Sequence, residues 1–186
     1  MSTRITRDAA LELIKAQKPE PNLIQHAIAS EAVMRGLAQH FGEPEAVVEL
    51  WALTGLLHDV DYPHTKDNPA EHGLKAEQFL QGHLPDEAIF AIKAHNSECT
   101  GVEPQSRFDL ALRACETVTG LISAAALVRP NGMEGMEAKS LKKKMKDKAF
   151  AASVNRDRIK ECEKINMTLD DFLNVAIKAM SELPSN

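Results

Sequence analysis

The sequence predicts an all-α, single-domain helical bundle, and three observations carry that prediction. Apolar residues recur at helical spacing in almost every segment, no segment shows the alternation of a half-buried strand, and Pro, Gly and Asn fall where helices would begin and end. A chain of 186 residues, 26% charged and 44% hydrophobic, fits one compact domain that can bury a substantial core without staples.

Taken in order, residues 8–17 have apolar positions on one helical face, with Asp8 near the start and the Pro19/Pro21 pair as the stop. Asn22 is suited to cap a second helix that runs to about Phe41 and closes on Gly42. Pro44 opens a third, ending near His58; its run Leu50-Trp51-Ala52-Leu53-Thr54-Gly55-Leu56-Leu57 is apolar on every side and so reads as buried. After a polar loop with Pro63, Asp67 and Asn68, a helix is expected from Pro69, capped by Asn68, to Gln81-Gly82. Pro85 starts another that reaches His95. The longest apolar candidate, Gln105 to Val128, is stopped by Arg129-Pro130-Asn131-Gly132. Helices are also expected over 140–152, 157–164 and 168–182, the last capped by Thr168 with Asp170 and Asp171 in its first turn. The segment Arg129 to Lys139 is the one candidate flexible linker, and no internal repeat is visible.

Composition excludes several function classes. A net charge of -5 and only 4% aromatic residues argue against a nucleic-acid platform, which needs a basic face and stacking rings. No apolar segment reads as a bilayer span, and the polar opening Met1 to Asp8 lacks a signal-peptide core, so the expectation is a cytoplasmic protein with no membrane partner. Cys99, Cys115 and Cys162 are odd in number with no CxxC spacing, which indicates neither a disulfide framework nor a thiolate zinc site. Cys115, beside Ala114, reads as a small core residue.

Chemistry concentrates in the pair His58-Asp59, at the end of that buried third helix. An imidazole and a carboxylate in a dry interior require partners, and metal is the simplest. His26, His72, His95 and Glu116 each fall on or at the end of a different helix candidate, and ligands on separate helices of a bundle can converge on a central metal. Glu116 sits within an otherwise apolar stretch, where an unpaired carboxylate costs several kcal/mol. Arg113, three residues earlier, is the competing partner; four imidazoles elsewhere favour metal. Each histidine taken alone reads more simply as a structural residue; His26, after Leu23 and Ile24, would be a hydrogen-bonded core one. His40, His64 and His83 lie in polar or loop contexts and are left out.

The order His26, His58-Asp59 and an acidic residue at 116 resembles the H…HD…D signature of the HD-domain metal-dependent phosphohydrolases. The likeness extends through Leu56-Leu57-His58-Asp59-Val60-Asp61-Tyr62, Glu71-His72-Gly73, Ala91-Ile92-Lys93-Ala94-His95-Asn96 and Thr119-Gly120-Leu121-Ile122, which are similar to the HDIG-type subgroup. It covers roughly residues 21–152. One departure is that the last ligand is usually Asp, and here it is Glu116.

The resemblance implies a metal-binding core over about 21–128 with C-terminal helices of 140–182 packed on it. It implies one metal held by His26, His58, Asp59 and Glu116, with Asp59 bridging to a second held by His72 and His95. Mixed nitrogen and oxygen donors suit one or two divalent transition metals (Fe, Mn, Zn, Ni or Co) better than calcium. Two such cations against two carboxylates leave a positive centre that would attract a phosphate ester. The implied reaction is hydrolysis of a small phosphoester, a nucleotide or a phosphodiester, by a metal-activated water.

Asp59 and Asp61 are the catalytic candidates, Asp61 as the group that positions or deprotonates that water, with a polar loop or capping role as its alternative. Lys66 and Lys93 are candidate substrate contacts. Within the basic run 139–148, Lys144 and Lys148, four apart on an expected helix, would share a face for a phosphate tail; the simpler reading of all four lysines is that they are solvated. Two other functions are compatible with the same ligands: a di-iron oxygenase on the HD fold, and a metal- or nucleotide-binding regulatory module without turnover. The oligomeric state is open.

Overall fold

The computed structural model describes residues 5–184, so residues 1–4 of the polar opening lie outside the described residues. Helix α1 (Arg7–Ala16) is capped by Thr6, whose hydroxyl accepts from the Ala9 N–H. Helix α2 (Pro21–His40) starts one residue before the expected Asn22 cap, because Pro21 occupies the first turn, where its fixed φ and missing N–H cost nothing. After a tight turn at Gly42 comes α3 (Glu45–Leu57). These two helices make the most extensive helix pairing of the bundle. On α2, Ala27, Ser30, Met34, Leu37 and Ala38 form the buried stripe, while α3 is buried on nearly all sides from Leu50 to Leu57. Gly55 permits their close approach: a Cβ there would lie 2.6 Å from the Ser30 carbonyl oxygen.

A single turn, α4 (Tyr62–Thr65), follows His58-Asp59. The helix expected over Pro69 to Gly82 is not formed; residues 69–76 make successive turns and only α5 (Glu77–Leu80) is helical. The reason lies in what the backbone serves there. Asp61 takes the Gly73 N–H at 2.8 Å and Asn96 donates to the Pro69 carbonyl at 2.9 Å, partners that replace a regular helical ladder. Gly73 sits at φ +88, and a Cβ on it would be 2.8 Å from the Ile92 carbonyl oxygen, so the turn is available to glycine alone.

Helix α6 (Asp86–Ala94) buries Ala88, Ile89, Ala91 and Ile92, and the one-turn α7 (Ser97–Thr100) ends in left-handed Gly101. The central α8 (Arg107–Leu127) opens on a capping box in which Ser106 accepts the Asp109 N–H and Asp109 returns the bond to the Ser106 N–H. Contrary to the sequence expectation, this helix is long and apolar enough to cross a membrane by length and composition; here it is the hub of the bundle, contacting α2, α3 and α6, with Cys115 in the core.

The expected linker 129–139 is tied into turns by the Arg129 guanidinium, which donates to the carbonyls of Gly132 and Glu134. Helix α9 (Ala138–Lys146) stops six residues short of the expected end at 152. Arg156 draws the carbonyls of Phe150, Ala151 and Val154 around its guanidinium, which holds the chain in turns instead. Then come α10 (Arg156–Lys160), capped by Asn155, a 3-10 turn over Glu161–Ile165, and α11 (Leu169–Ser181), capped by Thr168 as expected. The last three pack on α8, and α11 also on α2. The described residues contain no β-strand.

Candidate metal centre

The close approach of α2 and α3 brings His26, in the second turn of α2, against His58, at the end of α3, with their Nε2 atoms 3.1 Å apart. On the opposite side, the turn carrying His72 meets His95 at the end of α6, Nε2 to Nε2 at 3.0 Å. Asp59 lies between the two pairs. Its Oδ2 is 3.6 Å from His26 Nε2, and its Oδ1 is 3.3, 3.2 and 3.7 Å from the Nε2 atoms of His58, His72 and His95. The structure thus assembles two three-residue groups, His26-His58-Asp59 and Asp59-His72-His95, that share one carboxylate.

The other face of each ring is also spoken for. His58 Nδ1 pairs with the Gly55 carbonyl at 2.8 Å, and His95 Nδ1 with the Ile92 carbonyl. His26 Nδ1 is 3.1 Å from Thr119 Oγ1, whose own proton goes to the Glu116 carbonyl at 2.7 Å, so this hydroxyl accepts. His72 Nδ1 is 3.1 Å from Asp61 Oδ1. A ring that donates at Nδ1 presents a lone pair at Nε2, the arrangement of a metal-ligating histidine with its outer partner. Two lone pairs facing each other at about 3 Å need a proton or a cation between them. Nitrogens bound to one transition ion at about 2.1 Å each stand about 3.0–3.4 Å apart, which matches both pairs. The donor set fits a cation in each group: His26, His58 and Asp59 would hold one, and Asp59, His72 and His95 the other.

Charge points the same way. Burial disfavours ionisation of Asp59, but His58, the hydrogen-bonded His72 and His26 outweigh it and hold this carboxyl well below its usual range. Burial and the neighbouring His58 push His26 down to about 4, and burial with His72 and His58 holds His95 well below the usual imidazole value. His72 goes the other way. Burial opposes its charged form, yet Asp59 and Asp61 raise it to about 10. A cation entering the second group therefore displaces a proton.

Two of the expected site carboxylates have protein partners of their own. Asp61 is fully buried with both oxygens engaged, by His72 Nδ1 at 3.1 Å and by the Gly73 N–H at 2.8 Å, which places it behind the His72 ring. Glu116 stands beside the cluster but outside both three-residue groups. Its Oε1 accepts from the Thr117 hydroxyl at 2.7 Å and from Arg158 Nη1 at 3.0 Å; burial, then Asp59, raises its carboxyl pKa against the pull of Thr117, His58 and Arg158. Arg113 is not its partner: that guanidinium binds Glu98, Glu161 and the carbonyls of Ala94 and His95.

The lysines lie apart from the cluster's contacts. Lys66 is exposed after α4, and Lys93 pairs with Glu77 at 2.9 Å. Lys144 sits 4.2 Å over the Phe150 ring, while Lys148 lines a cavity of about 830 Å³ with Lys142 and Lys146. They share no helical face, since α9 ends at Lys146. His64, set aside from sequence, hydrogen-bonds Gln17 and stacks on Phe79. Sequence reasoning missed Thr119 and Arg158, whose partners are 93 and 42 residues away and leave no local signal.

A family model described as the HD domain matches residues 23–149, more than half of the chain. The chain belongs to the HD-domain family. The match spans His26, His58-Asp59, His72, His95 and Glu116 and ends before Arg158. No curated protein and no solved structure matched the chain.

Proposed function

We propose that this HD-domain protein, of the HDIG type, is a metal-dependent phosphohydrolase acting on a small phosphoester, with a nucleotide or phosphodiester as the substrate class. The observation that carries the reading is the convergence of four Nε2 atoms on Asp59, each ring locked by an Nδ1 partner. Divalent transition ions bound there would lower the pKa of a coordinated water and screen charge on phosphoryl oxygens. Asp59 would hold the two groups at a fixed spacing, and its ionised state at neutral pH follows from the histidines around it. The rings of His26, His58, His72 and His95 would fix donor directions, since their outer partners prevent rotation. Asp61 would act through His72 and would not move a proton to or from water.

The test is reconstitution with Mn, Fe, Co, Ni or Zn, followed by phosphate release from a panel of phosphomonoesters, phosphodiesters and nucleotides, on the wild type and on Asp59→Ala. Hydrolysis by the wild type with a redox-inert ion, lost in Asp59→Ala, is the expected result. Activity that survives in the variant, or oxygen consumption without phosphate release in the iron-loaded protein, overturns it.

A further inference from the structure

Arg158 comes from α10, beyond the residues that match the HD domain, yet it reaches Glu116, which stands beside the metal centre. Ile159, fully buried, anchors α10 on α8 and Asn155 caps its first turn, so the arginine is delivered by a fixed element. Its guanidinium is shared between two carboxylates. Nε and Nη2 grip the two oxygens of Glu98, with Nε to Oε1 at 3.0 Å, and Nη1 alone donates to Glu116 Oε1 at 3.0 Å. Glu98 is in turn held by Arg113, a buried guanidinium that also takes the His95 carbonyl at 3.1 Å. The plane of the Arg158 fork is thereby fixed relative to a metal-ligand element, whatever Glu116 does.

Glu116 is the exchangeable side of this arrangement. Its backbone carbonyl is one hydroxyl away from the His26 ring through Thr119, and its carboxyl senses the charges of His58 and Asp59. A cation in the His26-His58-Asp59 group would compete with Arg158 for that carboxylate. With that carboxylate on a cation, the Glu98 clamp would keep the arginine in place and Nη1 would be left without its carboxylate partner at the rim of a positive centre. A guanidinium N–H makes a charge-assisted hydrogen bond to a phosphate oxygen.

We propose that Arg158 is the anion-binding residue of this centre, paired with Glu116 until a cation claims that carboxylate and then donating to the phosphoryl oxygens of the substrate. The inference deepens the phosphohydrolase reading and rests on it for the identity of the anion. Lys144 and Lys148 do not compete for this role, being placed against Phe150 and in the separate lysine-lined cavity.

The experiment is a pair of calorimetric titrations on Arg158→Ala and the wild type: Mn2+ into the metal-free protein, then inorganic phosphate into the Mn-loaded protein. Arg158→Ala is expected to bind Mn2+ at least as tightly as the wild type, because a competitor for Glu116 is gone. Phosphate affinity is expected to fall on the order of tenfold or more, the scale of a charged hydrogen bond. Unchanged phosphate affinity overturns the proposal, and so does a loss of Mn2+ affinity as large as the loss for phosphate, since Arg158 would then only be holding Glu116 in place. If Arg158→Ala does not fold, Arg158→Gln is read by the same two titrations with the same criteria. Neither measurement needs turnover. An inactive protein that loses phosphate affinity on substitution sinks the hydrolysis and keeps the arginine; an active one with unchanged affinity does the reverse.

Discussion

The two halves of the metal centre are each built from two histidines and the shared Asp59, and they are supported in different ways. His26 and His58 lean on neutral acceptors, a threonine hydroxyl and a backbone carbonyl, whereas His72 leans on the buried carboxylate of Asp61. A carboxylate behind an imidazole makes it more basic and a better donor, and it also makes the ring hold a proton when no cation is present. Hence His72 is raised to about 10 while His26 is lowered to about 4, although both are buried against the same Asp59. The His72 half is therefore expected to bind its cation more tightly at high pH and to release it sooner as pH falls. His26, held down by burial and His58, brings no proton of its own to that exchange above about pH 4.

The largest effect strikes what the halves share. Asp59→Ala removes the one ligand common to both groups, so metal content should drop toward zero and kcat/KM for any phosphoester by on the order of a thousandfold or more. Metal analysis of the purified variant checks it; retention of one full equivalent would mean that the halves are independent sites. Next comes Asp61→Asn, which leaves every ligand in place and should weaken binding in the His72 half by roughly 10–100-fold. It should also cut the proton release that accompanies loading, measured by calorimetry in buffers of different ionisation enthalpy.

The pH dependence follows with its sign fixed by His72. The group titrates near 6.5 when unfolded and near 10 when folded, so the metal-free protein holds stability from this proton that is fully present below pH 6.5 and is lost as pH rises through 10. Thermal unfolding of metal-free protein should thus move to lower temperature from pH 7 to 10. Over the same range, cation affinity of this half should rise by close to tenfold per pH unit, because each cation displaces about one proton.

The difference between the halves was only partly legible in the sequence. Helices α2, α3, α6 and α8 follow from period, proline and capping, and they place His26, His58-Asp59 and His95 because each ligand sits on or at the end of a strongly patterned helix. The turn holding His72 was misread as helix. Its backbone is organised by Asp61 and Asn96 from other segments, and a helix propensity cannot anticipate side chains arriving across the fold. The roles of Asp61 and Thr119 were illegible for the same reason. Glu116 reads from sequence as a buried carboxylate needing compensation, but its partner Arg158 lies 42 residues on, in a segment that reads only as a short helix over 157–164.

The smallest expected effect is the most discriminating. Thr119→Val keeps the shape of the side chain and removes the oxygen that accepts from His26 Nδ1. The Glu116 carbonyl loses the threonine proton but remains within the α8 ladder, so the cost falls mainly on the orientation of His26. A neutral hydrogen bond is worth about 1 kcal/mol, which predicts a weakening of cation binding in the His26 half of roughly fivefold. Since His26 is uncharged well above pH 4, this loss should be the same at pH 6 and pH 9 and should leave proton release untouched. Parallel titrations of Thr119→Val and Asp61→Asn at both pH values decide the matter. A pH-dependent loss in Thr119→Val, or one as large as in Asp61→Asn, would show that the hydroxyl and the carboxylate support their histidines in the same way and that the asymmetry between the halves has another origin.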